Sequence, residues 1–333
     1  MALWDEVIKP APLTIFARGI AERYDGDGLL SDIFPNVSVD DVVFEWEQGE
    51  RLTEVAEYRA FNAETSIGDT AGKGTRLAKL APLGRKYEFS EYEKIRYSAR
   101  NSSETVQAAI ERLAATAAKA AVNRVALARG EALATGKLSI HENGFDQEVD
   151  FGRRPEFSNA TPANPWDGAS ADPVADIAEW VEAYATVNGE APDQLIVSRK
   201  VAAALTKAVY NGLSGNKPAV FTQADANAIL SGNGLPPLTL NDKLFKVGSV
   251  VKRVLPEDTA ILASTNGAGA TPWGRTAEAG DPRYNLPGDV ELPGLVVGAY
   301  ETLDPMTKWV HSNAIALPVL GNPDLTLVAK VLA

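Results

Sequence analysis

Apolar residues recur at helical spacing along one long stretch of the chain. Val106, Ile110, Leu113, Ala117, Ala120 and Ala121 follow that period and predict a helix over residues 102–135. Asn101 and Glu104 match an N-cap and its N3 partner, and Gly136, just after Thr135, stands where a C′ residue belongs. At 1.5 Å per residue such a helix would reach about 50 Å. Its many alanines thin one face, so another layer can approach closely. Gly130 weakens the last turns by roughly 1 kcal/mol relative to alanine and is a candidate bend.

Shorter elements flank it. Residues 42–47 alternate as a strand ending at Gln48-Gly49, and residues 87–97 form a second strand candidate with Phe89, Tyr92 and Ile95 among charges. The stretch between them contains Gly68, Gly72, Gly74 and Gly84 and builds little core. A loop this long inside a domain is usually functional or disordered. After the long helix, residues 137–141 and 147–151 predict a strand pair joined through Asn143-Gly144. A Pro/Asn/Asp-rich connector covers 155–172. A compact α/β section follows. Its first helix, 173–187, has Val174, Ile177, Trp180, Val181 and Tyr184 on the buried side, Asp172 as N-cap and Pro173 at N1. Then come a strand at 195–197, a helix at 200–210 capped by Ser198, a helix at 224–231, and strands at 238–240, 244–251 and 259–263. A Gly/Pro-rich excursion spans 266–289. Strands at 294–302, 309–317 and 325–332 close the chain, and no internal repeat is evident.

Residues 1–41 are rich in Pro, Gly and Asp, with Leu29, Leu30, Ile33, Phe34 and Val37 scattered among them. Two readings stay open. The segment is either an irregular surface stretch of its own subunit or an arm whose apolar partner lies on another subunit.

Composition narrows the function classes. The 333 residues are 45% hydrophobic, enough for a sizeable core without metals or cross-links. There is no cysteine, which excludes disulfides, thiolate metal sites and a cysteine nucleophile. The first residues carry Asp5 and Glu6 and break at Pro10 and Pro12, so no signal peptide is expected, and nowhere do about 18 apolar residues run together, so no membrane span is expected. A net charge of −12 repels phosphate backbones and argues against nucleic-acid grip as the main task; its plainest consequence is solubility. Against that background one segment stands out. From Thr70 to Tyr87 there is no acid, while Lys73, Arg76, Lys79, Arg85 and Lys86 are all basic. In an acidic protein such a segment can dock on the acidic surface of an identical copy, so these five residues are expected to contribute inter-subunit contacts more than intra-subunit ones.

Catalytic and binding motifs fail one by one. Gly68 to Thr75 resembles a phosphate loop, but its spacing is one residue short, Gly74 replaces the required hydroxyl, and no hydrophobic strand leads into it. Asp25-Gly-Asp27-Gly begins like a calcium loop, yet the next ligand position is Leu29, so a turn is expected. His141 and His311 are the only histidines, and neither sits in a zinc-binding or nucleophile-elbow pattern. His141, beside Glu142, reads as a strand-end residue. Gly232-Asn-Gly234 and Gly267-Ala-Gly269 are turn chemistry, because neither follows a strand and opens a helix. No catalytic, cofactor-binding or metal-binding residue is therefore assigned.

The order of parts carries a resemblance. It runs arm, basic loop between two strands, long helix, strand pair, α/β insertion and returning strands. Gly144 to Arg153 after the long helix, Glu257 to Leu262 in the insertion, and the ending from Ser312 to Ala333 with Pro318 and Asn322-Pro323-Asp324 are similar to the lambda-type major capsid proteins of tailed phages. The resemblance implies an α+β chain with the Hong Kong 97-type capsid fold. Residues 1–41 would be an N-terminal arm and 42–97 an extended loop. Residues 98–159 would be the peripheral domain with its spine helix, 160–290 an axial α/β domain, and 291–333 the C-terminal strands of the peripheral domain. It implies no enzyme and no cofactor. The implied function is self-assembly into pentamers and hexamers of a head shell around phage double-stranded DNA. The partners would be further copies of the chain, a decoration or scaffolding protein and a portal, with the protein residing in the virion after assembly in the host cytoplasm. The alternatives are an encapsulin-like cellular compartment, a soluble α/β enzyme with no sequence-evident site, and a tail-tube protein; the long alanine-rich helix argues against the last.

Overall fold

The computed structural model describes residues 8–26, 28–49, 74–98, 103–213, 218, 220–286, 294–304 and 306–333. Lys73, Asn101, Asp27 and residues 68–73 of the phosphate-loop-like segment lie outside them.

The long helix, α4, spans Ser103–Thr135, and Gly136 follows it with φ +69°, its amide donating to the Ala132 carbonyl. Before it come α1 (Pro10–Gly26), α2 (Leu29–Ile33), β1 (Asn36–Ser38), β2 (Val43–Gln48), β3 (Gly74–Lys79), β4 (Ala81–Phe89) and α3 (Glu91–Ser98). After it come β5 (Lys137–Glu142), β6 (Phe145–Asp150), α5 (Pro155–Ser158), α6 (Pro173–Asn188), β7 (Gln194–Val197), α7 (Arg199–Gly212) and α8 (Gln223–Gly232). The remaining strands are β8 (Leu238–Leu240), β9 (Leu244–Val247), β10 (Val250–Arg253), β11 (Thr259–Ala263), β12 (Thr271–Gly274), β13 (Val296–Leu303), β14 (Met306–Ala316) and β15 (Thr326–Lys330).

Two sheets carry the architecture. In the first, β14 is central. β4 pairs with it antiparallel from Phe89 opposite Lys308 to Ala81 opposite Ala316, while β13 and then β12 occupy its other edge and β1 runs parallel to β12. The second sheet has the order β15-β11-β7-β8. Only β7 and β8 are parallel in it, and α7 and α8 supply the crossover a parallel pair requires. Three separate hairpins, β2–β3, β5–β6 and β9–β10, stand outside both sheets.

α4 is a wall shared by two cores. Its N-terminal half packs Ile110, Ala114, Ala118 and Ala121 against Leu13 and Ala17 of α1 and against Val297, Val310 and Ala314 of the β14 sheet. Its C-terminal half contributes Ala128, Ala132 and Leu133 to the larger core, which it shares with the second sheet and with α6, α7 and α8. Local chemistry fixes the ends of several elements. Asp172 accepts from the Ala175 amide at 3.2 Å and Ser198 from the Val201 amide at 3.1 Å, as their N-cap positions predict. Asn143 and Gly144, at φ 49° and 84°, form the turn of the β5–β6 hairpin, where both central residues need positive φ.

Four expectations change. Residues 10–26 are not irregular: Pro10 and Pro12 sit in the first turn of α1, where proline leaves no intrahelical bond unmade, and Leu13 and Ala17 fall one turn apart on its buried side. The strand expected over 87–97 stops at Phe89. Ser90 and Glu93 then cap α3 reciprocally, through Ser90 N to Glu93 Oε2 at 3.0 Å and Glu93 N to Ser90 Oγ at 3.3 Å. The glycine-punctuated stretch before Tyr87 contains β3 and most of β4, because pairing with distant β14 supplies what the local pattern lacks. The single strand expected over 244–251 is a hairpin, turned at Gly248 with φ +61°.

Gly130 answers to packing. A Cβ on it would lie 2.2 Å from the Val254 carbonyl oxygen. Gly130→Ala should therefore destabilise the subunit by about 1–3 kcal/mol, the usual cost of overpacking, despite alanine's better helix propensity. Urea unfolding of the unassembled subunit reads this, and an unchanged or raised midpoint would contradict it.

Candidate assembly surfaces

The interior buries polar side chains as well as apolar ones. Arg129, on α4, is 1% exposed. Its Nη1 donates to Asp25 Oδ1 at 2.6 Å and its Nη2 to Asp25 Oδ2 at 3.1 Å, a bidentate pair. Nη2 also reaches Asn36 Oδ1 at 2.7 Å and Nε reaches Thr271 Oγ1 at 2.9 Å. One guanidinium thus ties together the end of α1, the start of β1, α4 and β12. A second cation, Arg153, sits at the C-terminal end of α4 and donates Nη2 to the Leu133 carbonyl at 2.6 Å, where the helix dipole favours positive charge. Burial pushes its pKa down to about 10, with Asp324 acting in the opposite direction. Sequence reading missed both. Arg129 is one of three arginines in α4 and carries no local signal that separates it from Arg112 and Arg124, and Asp25 was read as part of a turn.

The two histidines do no evident chemistry. His141 meets Asp146 across the β5–β6 hairpin. His311 on β14 shares a 2.9 Å hydrogen bond with the Tyr284 hydroxyl and lies edge-on to Tyr300. Burial lowers the His311 pKa; Glu278 raises it and Lys86 lowers it further. Among the described residues no group of three or more His, Asp or Glu could hold a metal, and no helix is long and apolar enough to cross a membrane.

The basic residues divide. Arg76, on β3, donates Nη1 to the Asp150 carbonyl at 3.0 Å. Lys86, on β4, places Nζ 3.8 Å from the Trp309 ring centre and 4.9 Å from that of Tyr300, within cation–π range. Both therefore have partners inside the subunit. Lys79 and Arg85 are exposed and have no carboxylate partner among the described residues. The structure does not gather the four into one cluster: Arg85 and Lys86 are consecutive on β4 and so point to opposite faces. Arg85 lines a cleft of about 1110 Å³ between α4, β4 and the β9–β10 hairpin.

Large apolar side chains face solvent on several elements, Ile15 and Phe16 on α1 among them. Tyr92 and Ile95 are exposed on α3. Leu244, Val247, Val250 and Val251 are exposed on the β9–β10 hairpin. The β2–β3 hairpin also exposes Leu77, and it is rooted mainly by Trp46, whose ring lies 6.1 Å from Phe44 and 6.3 Å from Phe151. A chain whose described residues tie buried charge into the interior and leave several apolar outgrowths exposed is built to meet other surfaces.

The model of the family described as phage major capsid protein E matches residues 27–331. The chain belongs to that family. A member of the phage major capsid protein E family is a structural protein, a subunit of an oligomeric shell, and not an enzyme. No curated protein matches the chain in sequence. Solved structures share its fold at low identity. A protein described as a prophage capsid protein of Escherichia coli CFT073 is 15% identical, with 96% of this chain and 99% of that chain covered, at a TM-score of 0.65. A phage-related protein of Bordetella bronchiseptica RB50 is 14% identical over 99% of this chain and 98% of that chain, at 0.58. The virus-like particle of Pyrococcus furiosus is 12% identical over 95% and 98%, at 0.50. The fold is the Hong Kong 97-type capsid fold, as the order of parts in the sequence implied.

Two outcomes follow from the interior of this capsid protein. Arg129→Met strands the Asp25 carboxylate in the core and should cost about 3–5 kcal/mol, whereas Arg129→Met combined with Asp25→Leu should cost clearly less. Denaturant midpoints of the unassembled subunits check this, and equal losses in the single and double variants would contradict it. The depressed His311 pKa makes the folded state bind its proton later than the unfolded chain. Its contribution to stability is therefore present above the ordinary histidine pKa of about 6.5 and is lost as pH falls through the folded value. His311→Gln should flatten the fall in unfolding midpoint between about pH 7.5 and 5.5, and a variant with the wild-type slope would refute the assignment.

Proposed function

We propose that the chain assembles as pentamers and hexamers into an icosahedral or prolate head shell enclosing double-stranded phage DNA. Its place is the virion, after assembly in the host cytoplasm. In this reading residues 1–41 are the N-terminal arm, whose α1 lies along its own spine helix α4. Residues 42–97 are the extended loop, 98–159 and 291–333 the peripheral domain, and 160–290 the axial domain. A decoration or scaffolding protein and a portal would be further partners.

The observation that carries the reading is the family match across residues 27–331. Physical chemistry is consistent with it. A shell subunit needs more interface than one domain's surface offers, and many weak contacts add through multivalency. The net charge of −12 suits a container that must load and release DNA without gripping it. The family match also favours a phage head over an encapsulin-like compartment.

Among the basic residues, Lys79 and Arg85 are the exposed ones with no side-chain hydrogen-bond, ion-pair or cation–π partner among the described residues, and Lys73 joins them by sequence. They are the strongest candidates for docking on a neighbouring copy; Arg76 and Lys86 would act between subunits only in addition to their internal contacts. Electron microscopy of the purified full chain should show closed shells without a cargo enzyme, and a monomer that never assembles would refute the proposal. Lys73→Glu, Lys79→Glu and Arg85→Glu together should suppress shells while leaving circular dichroism unchanged. All three are needed, because one exposed pair contributes only about 0–1 kcal/mol. Normal assembly of the triple variant would remove these residues from the interface.

A further inference from the structure

The α/β section carries its charge in two separate blocks. Between Pro155 and Ser198 there are eight Asp and Glu and no Lys or Arg. Between Lys243 and Pro256 there are Lys243, Lys246, Lys252 and Arg253 and no acid. The acidic block includes α6, whose outward face presents Glu179 and Glu182 among Ala175, Ala178 and Ala183, all exposed. That face is negative and smooth. The basic block is the β9–β10 hairpin.

The hairpin is poorly covered by its own subunit. It is a two-stranded sheet joined to no third strand. Such a unit is marginally stable in water unless something packs on it. The pairing register places Phe245, Val247, Val250 and Lys252 on one face and Leu244, Lys246, Val251 and Arg253 on the other. Phe245 packs against the main core and anchors the first face. On the other, Leu244 is 50% exposed and Val251 62%, and at the tip Val250 is 57% exposed. Arg253 has internal partners in Asp242 and Glu257. Lys246 and Lys252 have no carboxylate partner among the described residues.

We infer that the outward face of the β9–β10 hairpin of one subunit docks on the α6 face of the next copy, with Lys246 against Glu179 and Glu182 and with Leu244 and Val251 covering the exposed alanines. The inference rests on the shell-forming function. The two patches differ and lie on the same chain, so the contact is head-to-tail, the kind that closes rings around a symmetry axis. Opposite charge sets partner and register, and burial of the apolar side chains supplies the hairpin's missing cover. DNA is a poorer occupant. Its phosphates would satisfy the lysines but leave the exposed leucine and valines against a charged backbone.

The test is a charge swap in the full-length chain at fixed ionic strength. Lys246→Glu, and separately Glu179→Lys with Glu182→Lys, should each lower the fraction sedimenting as shells by at least about tenfold, because the contact repeats around the shell, and the three changes together should restore most of it. Val251→Asp should lower it independently. Circular dichroism and the recovery in the combined variant separate lost docking from lost folding. The inference is overturned if both charge-reversed variants assemble like the wild type, or if the combined variant assembles no better than either one. It is also overturned if the lysine variant assembles normally and loses only DNA binding in a filter assay. Wild-type shells with indifferent variants would sink this contact alone, whereas a wild-type chain that forms no shells would sink the assembly function with it.

Discussion

The subunit is organised around a charge that cannot be left alone. Arg129 is buried in α4, and an unpaired guanidinium there would be costly, so Asp25, Asn36 and Thr271 must arrive together to receive it. Such a pair adds little net stability over a well-packed apolar group, but it sets which residues meet. Here it fixes where the end of α1 and the start of β1 lie on α4, and where β12 joins them. The next residue constrains another approach. Gly130 lets the Val254 carbonyl come closer than any side chain would allow, which seats the bend just after the β9–β10 hairpin directly on the helix. Two consecutive residues thus position the N-terminal elements and the α/β insertion on one scaffold.

The scaffold was legible in the sequence where local signals sufficed. The alanine-rich helix, its Gly136 terminus, the Asn143-Gly144 turn and the Asp172 and Ser198 caps all act through neighbours a few residues away, and all form as their chemistry predicts. What stayed hidden depends on distant partners. β4 reads as a glycine-punctuated basic loop because its pairing partner, β14, lies more than 200 positions onward. α1 looked irregular because Pro10 and Pro12 read as breaks when they open a helix. Arg129 gave no sign of its role, since its three partners come from segments that sequence separates. The basic residues were legible as a charge pattern, but the aromatic partners of Lys86 and the carbonyl partner of Arg76 were not.

Function follows from what the interior leaves over. The two cores account for α1, α4, both sheets and the α/β helices. They do not account for the apolar face of α3, for the outward face of the β9–β10 hairpin, or for the lysines and arginine on β3, β4 and the hairpin that have no carboxylate partner among the described residues. In a solitary protein those features would be liabilities, because exposed apolar hairpins and unpaired edges invite association. In a member of the phage major capsid protein E family association is the function, and contacts that are weak singly become strong when repeated around a closed shell.

Hydrogen exchange, compared between the unassembled subunit and the assembled shell, tests this division most directly. Amides of α4 and of β7 and β11 should exchange slowly in both states, because their protection comes from the subunit's own cores. Amides of β3, of α3 and of the β9–β10 hairpin should exchange readily in the subunit and gain protection of about tenfold or more in the shell. The same protection in both states at those outgrowths, or a gain confined to α4 and the central strands, would contradict the claim that assembly resides in surfaces the subunit's own fold does not use.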